Sequence, residues 1–333
     1  MKKLLTTTAI VALVGSSVSV LAETKITGSI EQTMISTSYD LASSSKSATG
    51  IGQETNLSID SSKKLTNGWT LSGGFRLENG AIDSTTIKLS NGGFSIHTGA
   101  DTGSNIHGNL NPKVGDQPGD IISGELASDG FKTGPNPKVS DPQAHDVQHV
   151  GVEFENPMGK LFMNYAPGSG AAAIATAGAV TEGGATIVEL GFQGSLGVSG
   201  LNLLVGQETI YKDLGTYDDD VKNNVVSLSY TLGNVSVGGT IRSKDDGIVS
   251  TTAADKVKNF SVAYKVSDDV SVSYENVKVG YEGALVDDKY NQVSVGYNFG
   301  GLGISLDYVE ADNVAGEASN DMKAIQLRTV YGF

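Results

Sequence analysis

The residues with the plainest chemical capability in this sequence are acidic. Asp218, Asp219 and Asp220 place three carboxylates side by side, and a hard cation such as Ca²⁺ gathers several oxygen ligands. A structural Ca²⁺ at this triplet is the one cofactor the sequence suggests. Neither EF-hand spacing nor its turn glycine accompanies the triplet, so a solvated acidic loop tip is the better account. His107, His145 and His149 raise the question of zinc, but there is no cysteine and no further ligand set stands out. No nucleophile elbow or phosphate cradle occurs in strand–helix context, and no carboxylate pair is singled out for proton transfer. No catalytic residue is assigned. A second acidic group spans Asp101 to Asp146, where Asp116, Asp120, Glu125 and Asp129 lie among seven acids against three lysines, with five of the chain's 7 prolines. Set against them elsewhere in the chain are Arg76, Lys88, His97 and Arg328.

What positions these groups follows from composition and pattern. The chain has 43 glycines, 18% charged residues, no cysteine and a formal charge of −14. Thiol-ligated metal modules and disulfide-stapled domains are excluded. So acidic a chain is not a nucleic-acid binder, because phosphate recognition needs clustered Lys and Arg. Residues 1–22 form a leader: Lys2-Lys3, an apolar stretch from Leu4 to Val14, and Val20-Leu21-Ala22 as a small-residue cleavage site. Cleavage after Ala22 removes two lysines and takes the formal charge from −14 to −16. The domain is then 23–333.

From Glu23 onward the pattern alternates. Trp69, Leu71, Phe75 and Leu77 fall on one face; Thr70, Ser72, Arg76 and Glu78 fall on the other. Phe260 to Val266, Val293 to Phe299 and Ile325 to Phe333 repeat this period of two, which marks strands with unlike faces. Sixteen such strands are expected, the second starting near Gln53 after a long polar connection. Every second connection is short and built from Gly, Asn or Asp, as at Asn91-Gly92-Gly93, Gly233-Asn234 and Gly300. The others are longer and more polar, apart from the four residues at Ala81. Tight turns confined to one end belong to a barrel that crosses a membrane. The apolar faces carry most of the aromatics, many near strand ends, as interfacial girdles require. The opposite faces carry Lys25, Glu31, Glu153, Glu189, Arg242, Glu275 and Asp307 beside the basic residues already named. Burying so many charges in a dry core is prohibitive, whereas sixteen strands leave room for water inside. A polar, water-filled lumen is therefore predicted.

With its leader, sixteen strands, long connection after the fifth and AIQLRTVYGF ending, the chain resembles the general porins of Gram-negative outer membranes. The resemblance implies a 16-stranded antiparallel transmembrane β-barrel with a long constriction loop folded into the lumen, conducting small hydrophilic solutes and ions by passive diffusion. It implies Asp116, Asp120, Glu125 and Asp129 as the acidic side of the constriction, and Arg76, Lys88, His97 and Arg328 as its basic wall. It further implies a homotrimer, contact with outer-membrane lipid and lipopolysaccharide, and Phe333 as the signal read by the barrel-assembly machinery. The sequence departs from enteric members: NPKVGDQPGD stands where a Pro-Glu-Phe-Gly-type stretch would be, and arginines number only three. The acidic excess points to cation preference. A sugar- or phosphate-selective channel would want inward aromatics or an arginine ladder, and a barrel enzyme or adhesin would want a plugged lumen.

Overall fold

The computed structural model describes residues 23–41, 44–107, 110–115, 148–167, 186–211, 220–245, 254–281, 286–314 and 320–333. The leader, Asp116, Asp120, Glu125, Asp129, Asp218 and Asp219 lie outside them. Sixteen strands follow in chain order: β1 (Glu23–Leu41), β2 (Ser44–Lys64), β3 (Thr70–Glu78), β4 (Ala81–Asn91), β5 (Phe94–Ala100), β6 (His149–Asn156), β7 (Gly159–Ala166), β8 (Thr186–Gly194), β9 (Leu201–Tyr211), β10 (Val221–Leu232), β11 (Val235–Asp245), β12 (Ala254–Lys265), β13 (Val270–Tyr281), β14 (Asp288–Phe299), β15 (Leu302–Asp312) and β16 (Asp321–Gly332). Each pairs antiparallel with its sequence neighbours, and β1 pairs with β16 to close the barrel. The closing register runs from Ser29↔Gly332 to Asp40↔Asp321. Two further backbone bonds, Gly28 N to Phe333 O at 2.9 Å and Phe333 N to Gly28 O at 3.0 Å, carry the seam to the last residue.

The tight turns follow from residue type. Gly92, Gly233 and Gly300 adopt φ of 58, 59 and 55°, a region open to glycine at no steric cost and suited to two-residue hairpin turns. One element departs from expectation. β2 begins at Ser44, not near Gln53, so β1 and β2 form a long ribbon separated by residues 42–43 alone. Pairs such as Ser36↔Thr49 and Thr33↔Gly52 extend it. The stretch is rich in Ser, Thr and Gly with little apolar alternation, and backbone pairing makes it a strand.

Which side faces solvent reverses the rule for a soluble protein. Outward residues are apolar and open: Val295, Leu306 and Leu327, paired in register, are 44, 51 and 43% exposed. Inward residues beside them are polar and buried, including Ser294, Asp307 and Gln326. A sheet that exposes its apolar face and hides its polar one fits a surrounding of hydrocarbon, with polar groups turned to a lumen. At the tight-turn end the ring pairs Trp69–Phe94, Tyr297–Phe299 and Tyr331–Phe333 lie with centroids 6.3, 6.4 and 6.4 Å apart, in the place an interfacial girdle occupies.

Leu306→Arg sets a charge in the middle of this belt and is expected to destabilise the folded barrel by about 2–4 kcal/mol, measured by urea unfolding from lipid bilayers. A cost like that of a soluble surface substitution, roughly 0.5 kcal/mol, would mean the belt does not face hydrocarbon.

Candidate functional site

The strand period sends every second side chain inward, and charged groups collect there. Arg76 stands on β3, Lys88 on β4, His97 on β5 and Arg328 on β16. Register places all four on the inner face, through Ser72↔Lys88, Lys88↔His97 and Thr33↔Arg328. Three of them have a carboxylate partner. Arg328 Nε and Nη2 grip Glu31 of β1 in a two-pronged fork, each at 2.6 Å. Arg76 Nε donates to Asp83 Oδ2 at 2.6 Å, where a bulge in β4 sets Asp83 opposite no partner. Lys88 Nζ donates to Glu153 Oε2 at 2.8 Å. His97 is also inward but 1% exposed, with its ring 5.4 Å from that of His149. Gly103 and Gly151 leave the space it fills, since a Cβ at either would collide with the imidazole. Phe333 lies at the seam between β1 and β16. Asp220 stands just before β10.

The described beginning of the connection after β5, residues 101–107 and 110–115, crosses the inner face and is held along its length. Ser104 donates through N and Oγ to Glu153 Oε1, both at 2.8 Å. Its carbonyl accepts from Asn164 Nδ2 at 2.8 Å. Ile106 N donates to Glu189 Oε1 at 3.1 Å, while the Ile106 side chain is buried against Phe162, Leu204 and Val225. Arg242 Nη2 donates to the His107 carbonyl at 2.6 Å. Thr240 Oγ1 donates to Asn111 Oδ1 at 3.1 Å, and Val114 N to Ser273 Oγ at 2.9 Å. The segment thus runs from β6 past β11 to β13.

Three inward glycines make that path possible. A Cβ on Gly206 of β9 would strike Ile106, one on Gly238 of β11 would strike Pro112, and one on Gly296 of β14 would strike Val114. Sequence reasoning missed these seats, although the signal was present: each is a glycine at an inward position of an otherwise regular strand. The crossing leaves the two walls unequal. Glu153, Glu189, Glu208 and Asp307, on the covered side, are at most 4% exposed, whereas the side chains of Arg76 and Lys88 are 44 and 34% exposed. What stays accessible is the arc from β16 through β1 to β4, lined by alternating cations and carboxylates.

Comparison with known proteins agrees with this architecture. The family described as Gram-negative porin matches residues 6–333. No curated protein sequence matches the chain. Among solved structures, a porin refined at 1.8 Å superposes with a TM-score of 0.63 at 14% identity, over 93% of this chain and 100% of that one. OmpT of Vibrio cholerae, an outer membrane protein in trimer form, gives 0.62 at 13% over 94 and 99%. A mutant of Rh. blastica porin gives 0.58 at 14% over 93 and 100%. At such identities the likeness establishes the fold.

Gly296→Val tests the seats with little disturbance of the wall, because an added Cβ there meets Val114 and little else. The substitution is expected to unseat Val114, break its bond to Ser273 and speed tryptic cleavage after Lys113 severalfold in folded, heat-modifiable protein. Cleavage at the parental rate would show that the segment is not held there.

Proposed function

From the premise that the chain belongs to the Gram-negative porin family, and is therefore an outer-membrane multi-pass β-barrel and a channel rather than an enzyme, we propose that it passes small hydrophilic solutes and ions by diffusion, with a preference for cations. The carrying observation is the inverted patterning: an apolar, exposed outer face around a polar inner one. In this reading the connection after β5 narrows the lumen, its first residues fastened across the wall and Asp116, Asp120, Glu125 and Asp129 contributing negative charge to the bore. The basic arc does not oppose cations, because Arg76, Lys88 and Arg328 each stand beside a carboxylate. Glu54 adds negative charge on the inner face of β2, where Asp60 stands opposite Lys25 of β1. Fixed charge in a confined aqueous path draws counterions and repels co-ions.

The remaining parts of the reading concern assembly. Residues 1–22 direct export and are removed after Ala22. The barrel sits among outer-membrane lipid and lipopolysaccharide as a homotrimer, and the C-terminal strand with Phe333 is handed to the barrel-assembly machinery. Support for that last role comes from position, since Phe333 completes the seam that closure requires.

In planar bilayers under a salt gradient, the purified mature protein is expected to give large ohmic steps, closing in thirds, with a cation-positive reversal potential. Asp116→Asn combined with Asp120→Asn is expected to shift that potential toward zero. A folded barrel that stays electrically silent would overturn the channel, and an unchanged potential would remove these two carboxylates from the selectivity.

A further inference from the structure

Glu189 of β8 and Glu208 of β9 are directly opposed in register, both fully buried. Like charges in that relation destabilise a sheet, so their retention calls for a third group. The crossing segment brings one: His107 Nε2 lies 3.5 Å from Glu208 Oε2 and 3.9 Å from Glu189 Oε2. The other oxygen of each carboxylate is held by an amide. Asn164 Nδ2 and Ile106 N donate to Glu189 Oε1, each at 3.1 Å, and Asn223 Nδ2 donates to Glu208 Oε1 at 3.0 Å. The Arg242 bond to the His107 carbonyl at 2.6 Å fixes the backbone that carries the imidazole.

We propose that His107, Glu189 and Glu208 bind one divalent transition cation of the zinc class, fastening the crossing segment to the wall between β8 and β9. One imidazole nitrogen and two carboxylate oxygens, all within 4.8 Å of one another, form a three-donor set of the kind zinc takes, with a fourth position left to water. Bonds of about 2.0–2.2 Å to a tetrahedral ion set its donors roughly 3.4 Å apart, so a small inward movement completes the geometry. The amide donors are the outer partners that orient ligating carboxylates. The mixed nitrogen and oxygen donors favour a transition ion over Ca²⁺, which seeks six to eight oxygens. The proposal needs no conductance to be tested.

The test titrates ZnCl₂ alone into the chelator-treated, refolded full mature chain in detergent at neutral pH, by calorimetry. One saturable site per chain is expected. His107→Ala and Glu208→Gln should each weaken it at least tenfold while gel migration stays heat-modifiable. X-ray absorption of the zinc-loaded parental chain should show a nitrogen/oxygen shell including one imidazole. That measurement stands even where a variant does not fold. No saturable binding, binding that survives both substitutions, loss in Asp218→Asn/Asp219→Asn instead, or a spectrum without imidazole would each overturn the proposal.

Discussion

Hydrocarbon offers no hydrogen bonds, so a chain that crosses it must satisfy every backbone N–H and C=O from within. The rest of this structure depends on that constraint. A sheet meets it only by closing on itself, and closure here is made by β1 against β16, continued by the two bonds between Gly28 and Phe333. Once the sheet is closed, period two assigns alternate residues to lipid and to lumen, broken only locally at bulges such as that at Asp83. The apolar exposure of Val295, Leu306 and Leu327 and the burial of Ser294, Asp307 and Gln326 are two halves of one consequence.

Turning polar residues inward creates a second problem, since a crowd of inward charges must be balanced. The wall balances much of it locally. Each of Arg76, Lys88 and Arg328 has a carboxylate from its own hairpin or a nearby strand. The segment crossing the interior draws on the same stock of groups: Glu153 accepts from Lys88 and from Ser104, so wall pairing and segment anchoring share one carboxylate. Shape is matched as well as charge, because Gly206, Gly238 and Gly296 remove side chains where Ile106, Pro112 and Val114 pass.

The fold was legible in the sequence because its cause is local. Alternation and Gly/Asn turns can be read within ten residues, and the turns expected at Asn91-Gly92-Gly93, Gly233-Asn234 and Gly300 join β4 to β5, β10 to β11 and β14 to β15. The ribbon beginning at Ser44 escaped because Ser, Thr and Gly show no clear apolar face, and pairing alone made it a strand. The inner face was legible for the same local reason, placing Arg76, Lys88, His97 and Arg328 inward. Their partners were not. Arg328 meets Glu31 from 297 residues away, and Val114 meets Ser273 across 159. No local period encodes such pairs; they exist only once the barrel is closed. His97 shows the limit: its direction was readable, but its burial beneath Gly103 depends on where the segment lies.

The same distinction bears on charge selectivity. A formal charge of −14 counts every residue alike, yet an ion in the bore responds chiefly to charges within a Debye length, about 8 Å at physiological salt. Paired groups such as Arg328 and Glu31 present a dipole at that range, not two opposing charges. Carboxylates on the covered wall, such as Glu189 and Asp307, are separated from passing ions by the segment laid over them. The field along the path is therefore set chiefly by the charges that line the accessible arc. On that arc Glu54 and Asp60 stand in addition to the carboxylates that pair the arginines, with Lys25 of β1 opposite Asp60. The total charge of the chain is therefore a poor measure of that field, since it counts covered and paired groups alike.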